Sequence, residues 1–261
     1  MERSSHGCNG EPLGDAERRA MKVLEAELSK HAALTELIFN VIGMVLSRAP
    51  ETPIRNVPQS RKVVTNLFIR LSNDLRSASL LALRGYPVQA ASLVASIYEV
   101  AYTMVAIGRD NKIAQQWIDY DDPTQLFRKI KTLTRDGLAK LGVLNRCQAD
   151  TEYCVYQQLC MAKHANPRFQ RQHGYQLKNR NVVAVNGPDV SQAAIRAAWF
   201  ALENSARLAF IALKSFVENY IAPEVPDDLM KQVKTIDAAL NELKTAGIAR
   251  YGNKDPLPGK A

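Results

Sequence analysis

Between Arg84 and Arg109 the chain carries one formal charge, Glu99, in a run that reads Gly85-Tyr86-Pro87-VQAASLVASIYEVAYTMVAI-Gly108. Such a run commits the chain to a helix covered on most of its circumference, by lipid or by protein. Gln89, Ser92, Ser96, Glu99 and Thr103 argue against lipid, since an acid in the middle of a membrane span costs roughly 2.5–3.5 kcal/mol on insertion scales. The expectation is the buried helix of a bundle, with no membrane partner. At 100° per residue the same five polar residues fall within about an 80° arc. Leu93, Val94, Ile97, Ala101 and Met104 lie opposite. Wet helix faces recruit Lys, Arg and several Glu, whereas Ser and Thr let another element come close. Glu99 is therefore expected in a buried or half-buried polar seam, where a carboxylate must find a partner, find water or hold a proton.

The rest of the chain reads as helix as well. Asp15 is placed to cap a first helix carrying Met21, Leu24, Leu28, Leu34, Ile38, Val41 and Val45. Pro50, Pro53 and Pro58 break it, and a second helix from about Val64 ends at Gly85, with Pro87 in the first turn of the third. That third helix is expected to stop at Gly108, and Asp110 to cap a short helix with Ile113 and Trp117. Asp122-Pro123 opens a helix through Leu126, Ile130, Leu133 and Leu138, and another runs from about Asp150 to His164. Tyr175–Leu177 and Val182–Val185 could pair as a small hairpin. Gly187-Pro188-Asp189 is placed to cap a long helix to Ile221, and a last amphipathic helix covers Asp227 to about Ala246. The fold class expected is an all-α, up-and-down helical bundle. Its parts are a lead-in over 1–14, a bundle over 15–222, a C-terminal helix over 223–250 and a frayed tail over 251–261.

The 261 residues carry a formal net charge of +8, which mildly favours anionic partners. Of four cysteines, Cys147, Cys154 and Cys160 cluster without a CxxC pair. Nothing at the N-terminus reads as a secretory signal, so a reducing cytoplasm is the expected compartment. Cys160 and His164 have i,i+4 ligand spacing, but a tetrahedral site would need ligands from elsewhere, and small buried thiols are the expected role; no metal and no cofactor are expected. Tyr153, Tyr156, Cys160 and His164 line one helical face, and His164, at the helix end, could move a proton or bind the last carbonyls. After it come Arg168, Arg171, His173, Lys178 and Arg180, with no acid between His164 and Asp189. Such a cluster could hold phosphate or simply be solvated. No P-loop, dinucleotide glycine pattern, GxSxG elbow or HExxH is present.

The wording DLRSASLLALRGYPVQAASLVASIYE, then QLCMAKHANP, then GPDVSQAAIRAAWFALENSARLAFIAL resembles a group of bacterial helical proteins related in pattern to HEPN-like domains. That is the higher-eukaryote and prokaryote nucleotide-binding class found in toxin and phage-defence settings. The marks are Gly85, Tyr98-Glu99, and His164 with Asn166-Pro167. The resemblance implies a HEPN-like bundle, a homo-oligomer such as a dimer, and an RNA or nucleotide ligand. It pairs Glu99 with His164 as catalytic residues of one cleft, with Asn166, Arg168, Arg171 and His173 binding substrate at the rim. Two positions depart from the pattern. Ala95 stands where many relatives have an arginine, and Arg168-Phe169 follows Pro167 instead of lying on a helix. The alternative is a non-catalytic interaction module in which a Glu99–His164 pair is structural.

Overall fold

The computed structural model describes residues 12–48, 54–121, 144–164, 175–178, 181–184, 187–221 and 225–252. Among them are α1 (Leu13–Ser47), α2 (Gln59–Leu83), α3 (Pro87–Arg109), α4 (Asn111–Ile118), α5 (Arg146–Lys163), α6 (Gln192–Tyr220) and α7 (Asp227–Tyr251). A short 3-10 turn, Ile54–Asn56, precedes α2. Two strands, β1 (Tyr175–Lys178) and β2 (Asn181–Ala184), pair antiparallel, with Tyr175 opposite Ala184 and Lys178 opposite Asn181. The architecture is an all-α bundle with this hairpin appended. The helix expected around Leu126–Leu138 lies outside the described residues.

The apolar run accounts for the layout. As α3 it packs along α6 and α2, and also meets α5 and α4, so its circumference is covered by protein. It is long and apolar enough to cross a membrane, but 72% of its most apolar window is buried inside the bundle. Small residues bring the central helices together: Ala90, Ala91, Ala95 and Ala101 of α3, and Ala198, Ala201, Ala209 and Ala212 of α6 are all buried. Larger side chains fill the remaining space, among them Phe68 of α2 and Phe216 of α6, stacked at 4.8 Å. Each such fully buried side chain contributes roughly 1.5–3 kcal/mol. Helix α1 packs on α6 and α2, and α7 lies across α1 and α6.

Two glycines position the helices for different reasons. Gly85 has φ +89° and ends α2, and a Cβ there would stand 2.8 Å from the Pro188 Cβ. The Asp189 amide donates to the Gly85 carbonyl at 2.9 Å, so this turn also holds the approach to α6. Gly108 does not end its helix. It lies within α3, close against α6, where a Cβ would come 2.7 Å from Nδ2 of Asn219 and displace that side chain.

The caps depart from expectation in three places. Pro12, not Asp15, precedes the first turn of α1, and Asp15 sits inside that turn. Ser191 caps α6 by accepting from the Ala194 amide, while Asp189 accepts from the Ser191 amide one step earlier. Helix α5 begins at Arg146, not Asp150, because Asn145 and Gln148 form a reciprocal capping box. Asp110 caps α4 as expected, accepting from the Lys112 amide.

Helix α7 also runs past Ala246 to Tyr251, because its last turn is fastened to α6 and α1. Arg250 pairs with Glu27 at 2.7 Å and lies 5.7 Å over the Trp199 ring. Tyr251 meets Trp199 edge-on at 5.5 Å. Beneath them His31 of α1 is 2% exposed, with its ring 4.2 Å from Trp199 and no hydrogen-bond partner on Nε2. Burial lowers its pKa from 6.5 to about 4. The unfolded chain therefore binds a proton that the folded chain refuses between those values, and stability falls as the pH drops from 6.5 to about 4. The loss attached to this one group is on the order of 3 kcal/mol. Urea denaturation of wild type and His31→Phe across pH 4–7.5 should show that component in the wild type only. Equal pH slopes in the two proteins would refute it.

Candidate functional site

The polar face of α3 is half-buried, as its Ser and Thr content implied: Ser92, Ser96, Glu99 and Thr103 are all partly covered. What covers the Glu99 end is α5. Its inward face is itself polar, with Glu152, Tyr156, Cys160 and Lys163 spaced at four, four and three residues, so that all four share one side of the helix.

Two carboxylates organise the seam. Glu99, 12% exposed at its side chain, accepts at one oxygen from Lys163 Nζ at 2.8 Å and from the Tyr156 hydroxyl at 2.7 Å. About two turns toward the N-terminus of α5, Glu152 takes a bidentate pair from Arg207 of α6, at 2.6 and 3.0 Å. Arg207 also donates to Asn204 Oδ1 at 3.3 Å, and Asn204 Nδ2 is satisfied by the Phe200 carbonyl. Between the two pairs lies an aromatic layer. The Tyr98 ring stands 4.6 Å from that of Tyr102 and 4.9 Å from that of Tyr156.

The electrostatics favour fixed protonation states. Burial, then the Cys160 thiol and the Glu99 carboxylate, hold the Tyr156 phenol above its ordinary range. Burial and Glu152 do the same for Tyr102. Burial pushes the Cys160 thiol up, so it is not a ready thiolate. Burial works against the charge of Arg207, but Glu152 and Tyr102 outweigh it and raise its pKa further. The seam thus presents two engaged ion pairs and two phenols held protonated.

The expected Glu99–His164 pair is not assembled. His164 is the exposed C-cap of α5 and makes no hydrogen bond or ion pair with Glu99. The physical reason is angular: Lys163, one residue earlier and 100° around the helix, faces α3 and takes the carboxylate. Asn166, Arg168, Arg171 and His173 lie outside the described residues. The cysteines are not the buried thiols expected, since Cys147 and Cys154 are exposed and Cys160 is half-buried. Among the described residues, no group of three or more His, Cys, Asp or Glu could hold a metal ion.

The Glu152–Arg207 pair was missed in the sequence, although it carries the signal that drew attention to Glu99. Arg207 is an isolated charge amid Ala206, Leu208, Ala209 and Phe210 of an otherwise apolar stretch.

The two pairs should respond differently to loss of charge. Glu152→Gln leaves a guanidinium that is only 30% exposed without its counter-ion, a change expected to cost about 3 kcal/mol. Glu99→Gln leaves Lys163 on a flexible stem that can turn to water, and should cost about 1 kcal/mol. Urea denaturation at pH 7 gives the order, and a larger loss from Glu99→Gln would contradict it. No protein-family model, curated protein or solved structure matches the chain.

Proposed function

We propose that this chain is a non-catalytic helical binding module, in which the α3–α5–α6 seam is a structural clasp. The observation that carries this reading is the engagement of Glu99: Lys163 and Tyr156 both donate to the same oxygen, Oε1, of its carboxylate. A base so occupied, with its phenol partner held protonated, is built to hold a helix and not to move protons.

The ligand of the module is RNA or a nucleotide, bound by the cations that follow α5 in sequence. Arg168, Arg171, His173, Lys178 and Arg180 fall in a stretch without a single acid up to Asp189, in a chain of net charge +8. Such a stretch suits phosphate, and the binding it gives is salt-dependent. The setting is cytoplasmic, and the HEPN-like resemblance adds a dimer to this reading.

Fluorescence anisotropy with labelled single-stranded RNA, repeated over a salt series, tests the proposal. Binding should weaken as salt rises, and Arg168→Ala/Arg171→Ala should lower affinity and reduce the slope of log K against log salt by roughly 1–1.5. Glu99→Gln should leave affinity unchanged and the RNA intact. Salt-insensitive binding, or unchanged affinity in the arginine double variant, would remove RNA and nucleotide as ligands. RNA turnover that disappears in Glu99→Gln or His164→Ala would overturn the non-catalytic reading.

A further inference from the structure

Helix α5 is attached differently from the central helices α3 and α6. Only Ala149, Leu159 and Ala162 of its residues are buried, while α3 and α6 bury most of theirs. Among the described helices it packs closely along α3 alone, and it reaches α6 through one long side-chain pair, Arg207 to Glu152. Its attachment is concentrated at two charged points, Glu152 near one end and Lys163 at the other, about 16 Å apart along the helix axis. The core takes Leu159 and Ala162 from α5 as buried side chains, while Val155, Tyr156 and Met161 pack against it partly buried.

From this we propose that α5 is a strap that lifts from the bundle as a unit while α1, α2, α3 and α6 stay folded. Lifting separates an apolar contact made chiefly by Leu159, Ala162 and the Tyr156 ring against Tyr98. The polar groups it uncovers can all be hydrated: the Glu99 carboxylate, the Arg207 guanidinium, the Asn204 amide and the Tyr98 and Tyr102 hydroxyls. A helix joined by an apolar face has no such inexpensive open state, because its release exposes core surface to water. The charged clasps set the population of the open form, so weakening either one favours opening without loosening the remaining helices. This goes beyond the structural reading of the seam and does not depend on what the module binds.

Hydrogen exchange of the free, full-length protein, read by mass spectrometry under native conditions, tests it. Peptides from α5 should exchange at least tenfold faster than those of α3 and α6, and together along the length of the helix. Glu152→Gln should accelerate α5 by a further tenfold or more and leave α3 and α6 within about twofold. Glu99→Gln should act in the same direction by a smaller factor, and it serves as the reporter if Glu152→Gln does not fold. Exchange of α5 in step with α3 and α6, or equal acceleration of all three helices by the variants, would overturn the proposal.

Discussion

Two carboxylates set against two cations hold the polar junction between α5 and the bundle, and the placement of α5 depends on them. Glu99 meets Lys163 and Glu152 meets Arg207, with tyrosine rings layered between. Charges taken partly out of water add stability only when their geometry satisfies them, and removing one partner costs more than the pair contributes. The junction therefore acts chiefly as a specifier. It fixes which face of α5 meets α3 and at what height along the helix, where an apolar contact would tolerate sliding or rotation.

The bundle beneath that junction is held by different forces. Helix α3 lies among α2, α6, α5 and α4, and alanines on it and on α6 permit close approach. Gly85 against Pro188 sets the contact where a side chain would not fit, and Gly108 lies close against Asn219. The far side is closed by the Trp199 cluster, which fastens the last turn of α7 over a buried neutral histidine. Among the described residues the molecule thus pairs a largely apolar core with a charged seam beside it.

Local rules in the sequence carried much of this. The apolar run, the left-handed Gly85, the Asp110 cap and the pairing of residues 175–184 follow from periodicity and turn chemistry within a few residues. So did the half-buried seam, because a helix face of Ser and Thr around one Glu is a poor solvent face. The capping box at Asn145 and Gln148 was visible in the same terms, and using it would have placed the start of α5 correctly. The partners across the seam were not visible. Whether Lys163 or His164 meets Glu99 turns on a 100° rotation set by how α5 lies on α3, and Glu152 and Arg207 are 55 residues apart in the chain. The Trp199 cluster likewise joins side chains far apart in the chain, His31, Trp199 and Tyr251.

The most direct measurement is a double-mutant cycle on the stability of Glu152→Gln, Arg207→Met and the combined variant, by urea denaturation at pH 7. If this pair fastens α5, the two changes should be coupled by about 1.5 kcal/mol or more, the double variant losing far less than the sum of the singles. Additive losses, with coupling below about 0.5 kcal/mol, would show that the seam does not hold α5 through its charges and would contradict the account at its centre.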